Sequence, residues 1–341
     1  MMTELFAEYG LFLLKTATIV GAVVVVIGAA AAAGKSASQH EGLEVENLNE
    51  KYRTLARELK RALMKKADRK KEAKAEKKRD KADARSGEVR RRGFVIDFKG
   101  DLMASAVPSL REEVSAVLAV ARSDDQVIVR LENHGGVVHE HGLAASQLVR
   151  IRERQIPLIV AVDKVAASGG YLMACVANRI VAAPFAILGS IGVIAQMPNF
   201  NRLMDSHGIE FEQVTAGRYK RNVTMFGVNT DEDRAKLKEE LEDVHRLFTD
   251  AVSRYRPDLD LDQVTTGEHW YGVHALERGL ADEIRTSDEL LADLAKDFDL
   301  YRVSYRVKEP LQKRLMHSLE GVLEKVASMG WRRRFESRLP R

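Results

Sequence analysis

An α/β fold with mostly parallel strands, set behind one N-terminal transmembrane helix, is the architecture this sequence predicts. Three observations carry that reading. From Gly93 onward, short β-branched runs alternate with amphipathic stretches, the pattern of layered strand–helix units. Before that, residues 11–33 form an apolar run broken only by Lys15. Charge also divides the chain: residues 51–92 carry net +12, 307–341 net +5 and 1–50 net −4, which leaves −9 for 93–306. An acidic globular part between basic flanks argues against nucleic acid as a partner, because a binding core carries its basic patch on the folded domain.

The elements follow in order. Twenty-three apolar residues, at about 1.5 Å rise each, cross a hydrocarbon core of roughly 30 Å. Glu4 and Glu8 precede the run, where a secretory leader would carry positive charge. Residues 1–36 therefore read as an uncleaved anchor, with AAAAAGKSA (29–37) as the rival cleavage site. Next, Val45, Leu48, Tyr52, Leu55, Leu59 and Ala62 recur at heptad steps. That seam suits a short coiled coil, or one helix lying on the membrane or on the next domain. Residues 65–87 have no apolar face and read as a solvated helix or disordered linker with affinity for anionic lipid head groups. Residues 37–92 are thus read as a basic linker.

Residues 93–300 are expected to fold as one domain. FVIDF (94–98), QVIVRLE (126–132), PLIVAVD (157–163), RIVAAP (179–184) and SIGVIAQM (190–197) read as strands. Residues 108–121, 142–155 and 230–256 read as helices, with Pro108 in a first turn and Thr230 at a capping position. The run 180–197 is long enough for a second span, but Pro184, Gly189, Ser190 and Gly192 interrupt it, so buried strands are expected. The single cysteine excludes an internal disulfide framework, and Cys175 reads as a buried structural thiol. Residues 301–341 form a basic tail. Its Leu311, Leu315, Leu319, Val322, Val326 and Met329 draw one apolar stripe, fit for a membrane interface or for docking on a domain.

Chemistry concentrates in VAASGGYLMAC (165–175). Ser168 sits between an apolar strand and a helical stretch, a corner that holds a nucleophile outward and aims the next N–H groups at one spot. The usual base is missing: His207, His245, His269 and His274 have no motif around them. A lysine serves if neutral, and desolvation disfavours its charged form. Lys220 lies among Tyr219, Val223, Met225 and Phe226, while Lys164 is only four residues before Ser168. Composition does not choose between them. His134, His139, Glu140 and His141 offer a weaker metal reading, and neither a metal nor another cofactor is expected.

VDKVAASGGYLMAC and AGRYKR (216–221), with GSIGVIAQMPNFNRLMDSHGI between them and GEHWYGVHALERGLADEI (267–284) after, resemble the signal peptide peptidase (S49) family of serine–lysine peptidases. The likeness covers about 93–290, and residues 1–92 resemble the anchor and basic linker of its membrane-bound members. It implies a ClpP/crotonase-like spiral of ββα units, Ser168 as nucleophile and Lys220 as base. It also implies Gly136 and Gly169 as oxyanion-hole amides, and rings in which Ser and Lys come from neighbouring protomers. The family usually has Ser-Pro-Gly-Gly where this chain has Asn133-His134-Gly135-Gly136, which puts the stiffness of that turn in doubt. The expected function is a membrane-anchored serine endopeptidase. It would be single-pass in a bacterial inner membrane, in contact with lipid, acting on peptides such as signal-peptide or membrane-protein fragments. Alternatives are an acyl-CoA-processing enzyme on the same fold and a catalytically silent membrane scaffold. Basic charge after the anchor places the domain in the cytoplasm, whereas better-known relatives face the periplasm.

Overall fold

Alternating apolar residues build the centre of the molecule as a sheet buried on both faces. The computed structural model describes residues 9–21 except 17, residues 42–74 except 66, 67, 70 and 73, and residues 90–307. Its strands are β1 (Gly42–Asn47), β2 (Arg91–Lys99), β3 (Gln126–Glu132), β4 (Leu158–Val162), β5 (Val165–Ala167), β6 (Arg179–Ala182), β7 (Ile187–Gly189), β8 (His269–Tyr271), β9 (Glu283–Ile284) and β10 (Phe298–Arg306). Its helices are α1 (Leu48–Leu63), α2 (Val107–Val120), α3 (Val138–Glu153), α4 (Gly169–Ala174), α5 (Asn201–Ser206), α6 (Asp231–Tyr255), α7 (Leu261–Val264), α8 (Gly272–Glu277) and α9 (Ser287–Leu294). Seven strands form one sheet in the order β1-β10-β2-β3-β4-β6-β9, and β10 through β9 run parallel. A smaller sheet has the order β5-β7-β8, with β7 and β8 antiparallel.

The period of two explains the two cores. Phe94, Ile96, Val127, Val129, Leu158 and Val160 face α2 and α3, which bring Leu110, Val114, Leu148 and Ile151. Val95, Ile128, Ile159 and Val181 face the other way, onto Leu48, Leu290 and Leu291. Parallel strands covered on both sides need this near-continuous apolar sequence. Thr230 caps α6 with a reciprocal pair: Asp233 N–H donates to Thr230 Oγ1 at 3.2 Å and Thr230 N–H to Asp233 Oδ2 at 2.9 Å.

Residues Leu43–Tyr305 form one compact unit, so β1 and α1 pack with the strands that follow. Asn49 staples α1 to β10: its Nδ2 donates to Phe298 O at 2.9 Å and its Oδ1 accepts Leu300 N–H at 2.7 Å. The heptad seam does not continue as one face. Val45 is in a strand, Leu48 and Tyr52 pack on the domain, and Leu55 and Leu59 are exposed. Residues 9–16 and 18–21 are helical and belong to a second unit. No helix among the described residues is long and apolar enough to cross a membrane. Most of the 11–33 run, most of 65–87 and the striped tail lie outside the described residues.

The expected strand at 190–197 is absent, and the chain there has no regular structure. β7 stops at Gly189, whose φ of +101° and contact with the Trp270 ring suit glycine alone. Ser190 then turns at φ 52°, its N–H donating to Glu268 O at 2.6 Å. Ile194 and Met197 lie on the surface beyond. Apolar content in this stretch does not become burial in a sheet.

Glu113 on α2 is a buried carboxyl that accepts Tyr305 N–H at 2.8 Å. Burial pushes it up from an ordinary 4.5 to about 7, with Asp97 adding to the rise and the Tyr305 bond opposing it. Between those values the folded chain holds a proton that the unfolded chain has released. The corresponding stability is complete below about 4.5 and is lost as pH rises to about 7. Glu113→Gln is therefore expected to raise the melting temperature above neutral pH and to match the parent in acid. Thermal melts of both proteins across that range test this, and an identical difference at every pH would refute it.

Candidate functional site

Ser168 occupies the corner between β5 and α4 with φ 52° and ψ −121°. A non-glycine residue in such a conformation costs on the order of 1–3 kcal/mol and persists only where its surroundings fix it. Here Ser168 N–H donates to Gly189 O at 2.8 Å, and Ser168 O accepts Leu172 N–H at 3.0 Å. The antiparallel pairing of Gly189 with His269 holds that acceptor in place. The 267–284 segment thus supports the corner from a distance of a hundred residues in sequence.

The turn after β3 comes up against the same corner. Asn133 bridges to Ala166, and a Cβ on Gly135 (φ +85°) would fall 2.8 Å from Ala167 O, Gly169 N and Ser168 Cβ alike. A Cβ on Gly136 would overlap Leu102 O, and one on Gly170 would overlap Asn133 O. Glycine is required by close backbone approach at each place. The Gly135 N–H is held by Asn133 Oδ1 at 2.9 Å. Those of Gly136 and Gly169 have no turn or cap partner among the described residues.

Ser168, Gly136 and Gly169 line one cavity of about 470 Å³. Its other walls are mainly apolar: Val149, Leu172 and Val176 on one side, Val244, Leu247 and Phe248 of α6 on the other. Lys220 is elsewhere. It is exposed, follows a Gly217 turn, and lines a separate cavity of about 810 Å³ with Val223, Met225 and Phe226. Val223, Met225 and Phe226, three of the four apolar neighbours read from the sequence, line that cavity with it, and Ser168 lines a different one. Lys164 lines a third cavity and donates to Glu132 Oε2 at 3.0 Å, which holds that carboxyl below its usual range.

One histidine does reach the serine cavity. His141 is fully buried, with Nδ1 3.0 Å from Val137 O and Nε2 3.2 Å from Asn133 Oδ1, so neither nitrogen is left for the Ser168 hydroxyl. His134 and His139 are exposed, so the possible metal cluster does not converge. Among the described residues no group of three His, Cys, Asp or Glu is placed to hold a metal. Asn133 was seen in the sequence only as part of a turn, and His141 only as a possible ligand. The one available sign was an asparagine two residues before a glycine, an Asx-turn pattern.

A serine held at φ 52° and the Gly136 turn, lining one largely apolar cavity, are a candidate site for a serine hydrolase. Comparison with known proteins narrows the class. Residues 4–148 match the family model "Peptidase family S49 N-terminal" and residues 150–301 match "Peptidase family S49". The chain belongs to peptidase family S49. It is 44% identical over 333 residues to a probable protease SohB of Haemophilus influenzae, covering 94% of each chain. It is 51% identical over 241 residues to a probable protease SohB of Buchnera aphidicola subsp. Acyrthosiphon pisum, covering 70% of this chain and 72% of that one. The chloroplastic serine protease SPPA of Arabidopsis thaliana is 29% identical over 202 residues, 58% of this chain and 30% of that one. The chain is accordingly a protease.

The single cysteine lies seven residues after Ser168 and is buried. Cys175 is fully enclosed, and burial pushes its thiol up to about 12. The thiolate, which is the reactive form, is scarce at physiological pH. An alkylating reagent near neutral pH is expected to spare Cys175 in the native protein and to modify it after denaturation. Native-state labelling at the rate of a free thiol would refute this.

Proposed function

We propose that this protein is a membrane-anchored serine endopeptidase using Ser168 and Lys220, on a ClpP/crotonase-like fold with an N-terminal transmembrane helix. The observation that carries the reading is the Ser168 backbone, held at φ 52° beside the Gly136 turn. An acyl-CoA enzyme on the same fold needs the paired amides but has no use for a strained serine. In the proposed mechanism Ser168 Oγ attacks the scissile carbonyl while neutral Lys220 takes its proton. The Gly136 and Gly169 N–H groups donate to the oxygen as it gains charge. Collapse breaks the C–N bond, and the lysine returns the proton to the departing amine. Water then attacks the acyl ester, giving its proton to the lysine, which passes it to Ser168 Oγ as the ester C–O bond breaks and so restores both groups.

Lys220 has to be brought to Ser168 and desolvated there. Its exposure in a single protomer, on a segment with Ile194, Leu203, Val214 and Val228 also exposed, supports delivery by a neighbouring copy in a ring. Contact between copies would bury that apolar surface and the ammonium stem together. The apolar walls of the Ser168 cavity favour apolar substrate side chains, as in signal-peptide or membrane-protein fragments. The basic charge that follows the apolar N-terminal run favours a cytoplasmic domain.

Ser168→Ala and Lys220→Ala are each expected to lower kcat by on the order of 10⁴-fold or more, because such pairs act as a unit. Lys164→Ala should retain most activity. Co-expressing the two inactive variants should restore part of it if Ser and Lys meet between protomers. Retained activity in Lys220→Ala would overturn the dyad. In spheroplasts, a C-terminal tag should resist added protease if the domain is cytoplasmic, and digestion would place it outside.

A further inference from the structure

Asn133 and His141 carry no step of that mechanism, yet both are fully buried and both touch the segments that would hold the oxyanion. Asn133 is tied first by its backbone. Its N–H donates to Val165 O at 2.9 Å, and its carbonyl accepts Ala167 N–H at 3.0 Å. Its side chain then engages three other segments. Oδ1 accepts Gly135 N–H at 2.9 Å, Nδ2 donates to Met173 Sδ at 3.3 Å, and Oδ1 lies 3.2 Å from His141 Nε2. His141 continues the connection. Its Nδ1 lies 3.0 Å from Val137 O, and Val137 N–H donates to Leu102 O at 2.9 Å beside Gly136. Both ring nitrogens face oxygens, and which of them donates is set by the tautomer of the ring. The ring also lies against Gly169, where an added Cβ would sit 2.5 Å from His141 Cγ.

One buried pair therefore touches both sides of the amide pair. A side-chain oxygen bonded to the amide two residues on fixes a turn locally, as proline does by locking φ. His134, between Asn133 and Gly135, is exposed, so the turn is held by its other neighbours and not by that side chain.

We propose that Asn133 and His141 are positioning residues that stiffen the Gly135–Gly136 turn and set the Gly136 amide against the Gly169 amide. The catalytic meaning of the pair rests on the peptidase reading, while its effect on the turn does not. A loosened turn leaves the ground-state substrate bound by the apolar cavity and weakens only what the oxyanion receives. The loss should therefore appear in kcat and spare KM.

The test uses the full-length chain in detergent, with two readouts: hydrolysis of a fluorogenic peptide with apolar residues before the scissile bond, and hydrogen–deuterium exchange across 133–137 and 168–170. Removing an oxyanion donor outright costs about 10²–10³-fold in kcat, so a displaced one should cost about 10–100-fold. Asn133→Ala is expected to lower kcat by that amount, to move KM by less than about threefold, and to raise exchange across 133–137. Adding His134→Pro to the same chain should recover most of the lost kcat and lower the exchange again. Should Asn133→Ala not accumulate folded, Asn133→Ser serves, its hydroxyl being a weaker acceptor for the same amide. Unchanged exchange in the single variant, or a double variant as slow and as mobile as the single, overturns the proposal. If the parent chain shows no Ser168-dependent hydrolysis while exchange still rises and is rescued, the peptidase reading fails and the turn lock stands.

Discussion

Everything at this site depends on keeping a serine where serine does not rest. At φ 52° the Ser168 backbone gains nothing locally and is held by its neighbours. Gly189 O takes its N–H from one side, and the bond from Ala167 N–H to Asn133 O fixes the preceding residue from the other. Gly135 and Gly170 let the turn approach within backbone contact, where any side chain would push it away. These restraints come from β7, the end of β3 and α4, three elements whose own positions are set by the sheets. The strain is sustained by the packing of the whole domain, which explains why so large a scaffold supports so small a site.

Much of this was legible in the sequence, for definable reasons. Strand 158–162 is apolar throughout and strand 126–132 is apolar over Val127–Val129 and at Leu131, as parallel strands covered on both faces tend to be, and both are legible almost to the residue. Thr230 and Pro108 announce their helices through chemistry that works within one turn. The strand-to-helix corner at Ser168 was legible because such a corner is itself local. The errors share a different cause. Residues 190–197 have strand composition, but their fate is decided by Trp270 against Gly189 and by Glu268 O, eighty residues away. The seam from Val45 to Ala62 obeys helix spacing, yet Asn49 fixes α1 to β10, and only its first turn is buried. Asn133 and His141 were missed for the same reason. They earn their place through contacts across the fold, and no periodicity marks them.

The serine and the lysine also differ in what holds them. Ser168, Gly136 and Gly169 are brought to one cavity within a single chain, so whatever folds the domain also places them. Lys220 belongs to the long stretch between β7 and α6, whose apolar side chains Ile194, Val214 and Val228 face solvent. Nothing in the core of a single protomer desolvates it. If that stretch is buried only against another copy, the same contact that removes its apolar surface from water removes the ammonium too. Burial of the apolar surface favours association, while burial of the ammonium opposes it until the proton leaves. Assembly and activation of the base are then one event. On the proposed dyad, a free protomer would stay idle while Ser168 is already strained and the Gly136 turn already placed. Were the substrates apolar segments as proposed, that division would confine cleavage to the assembled state.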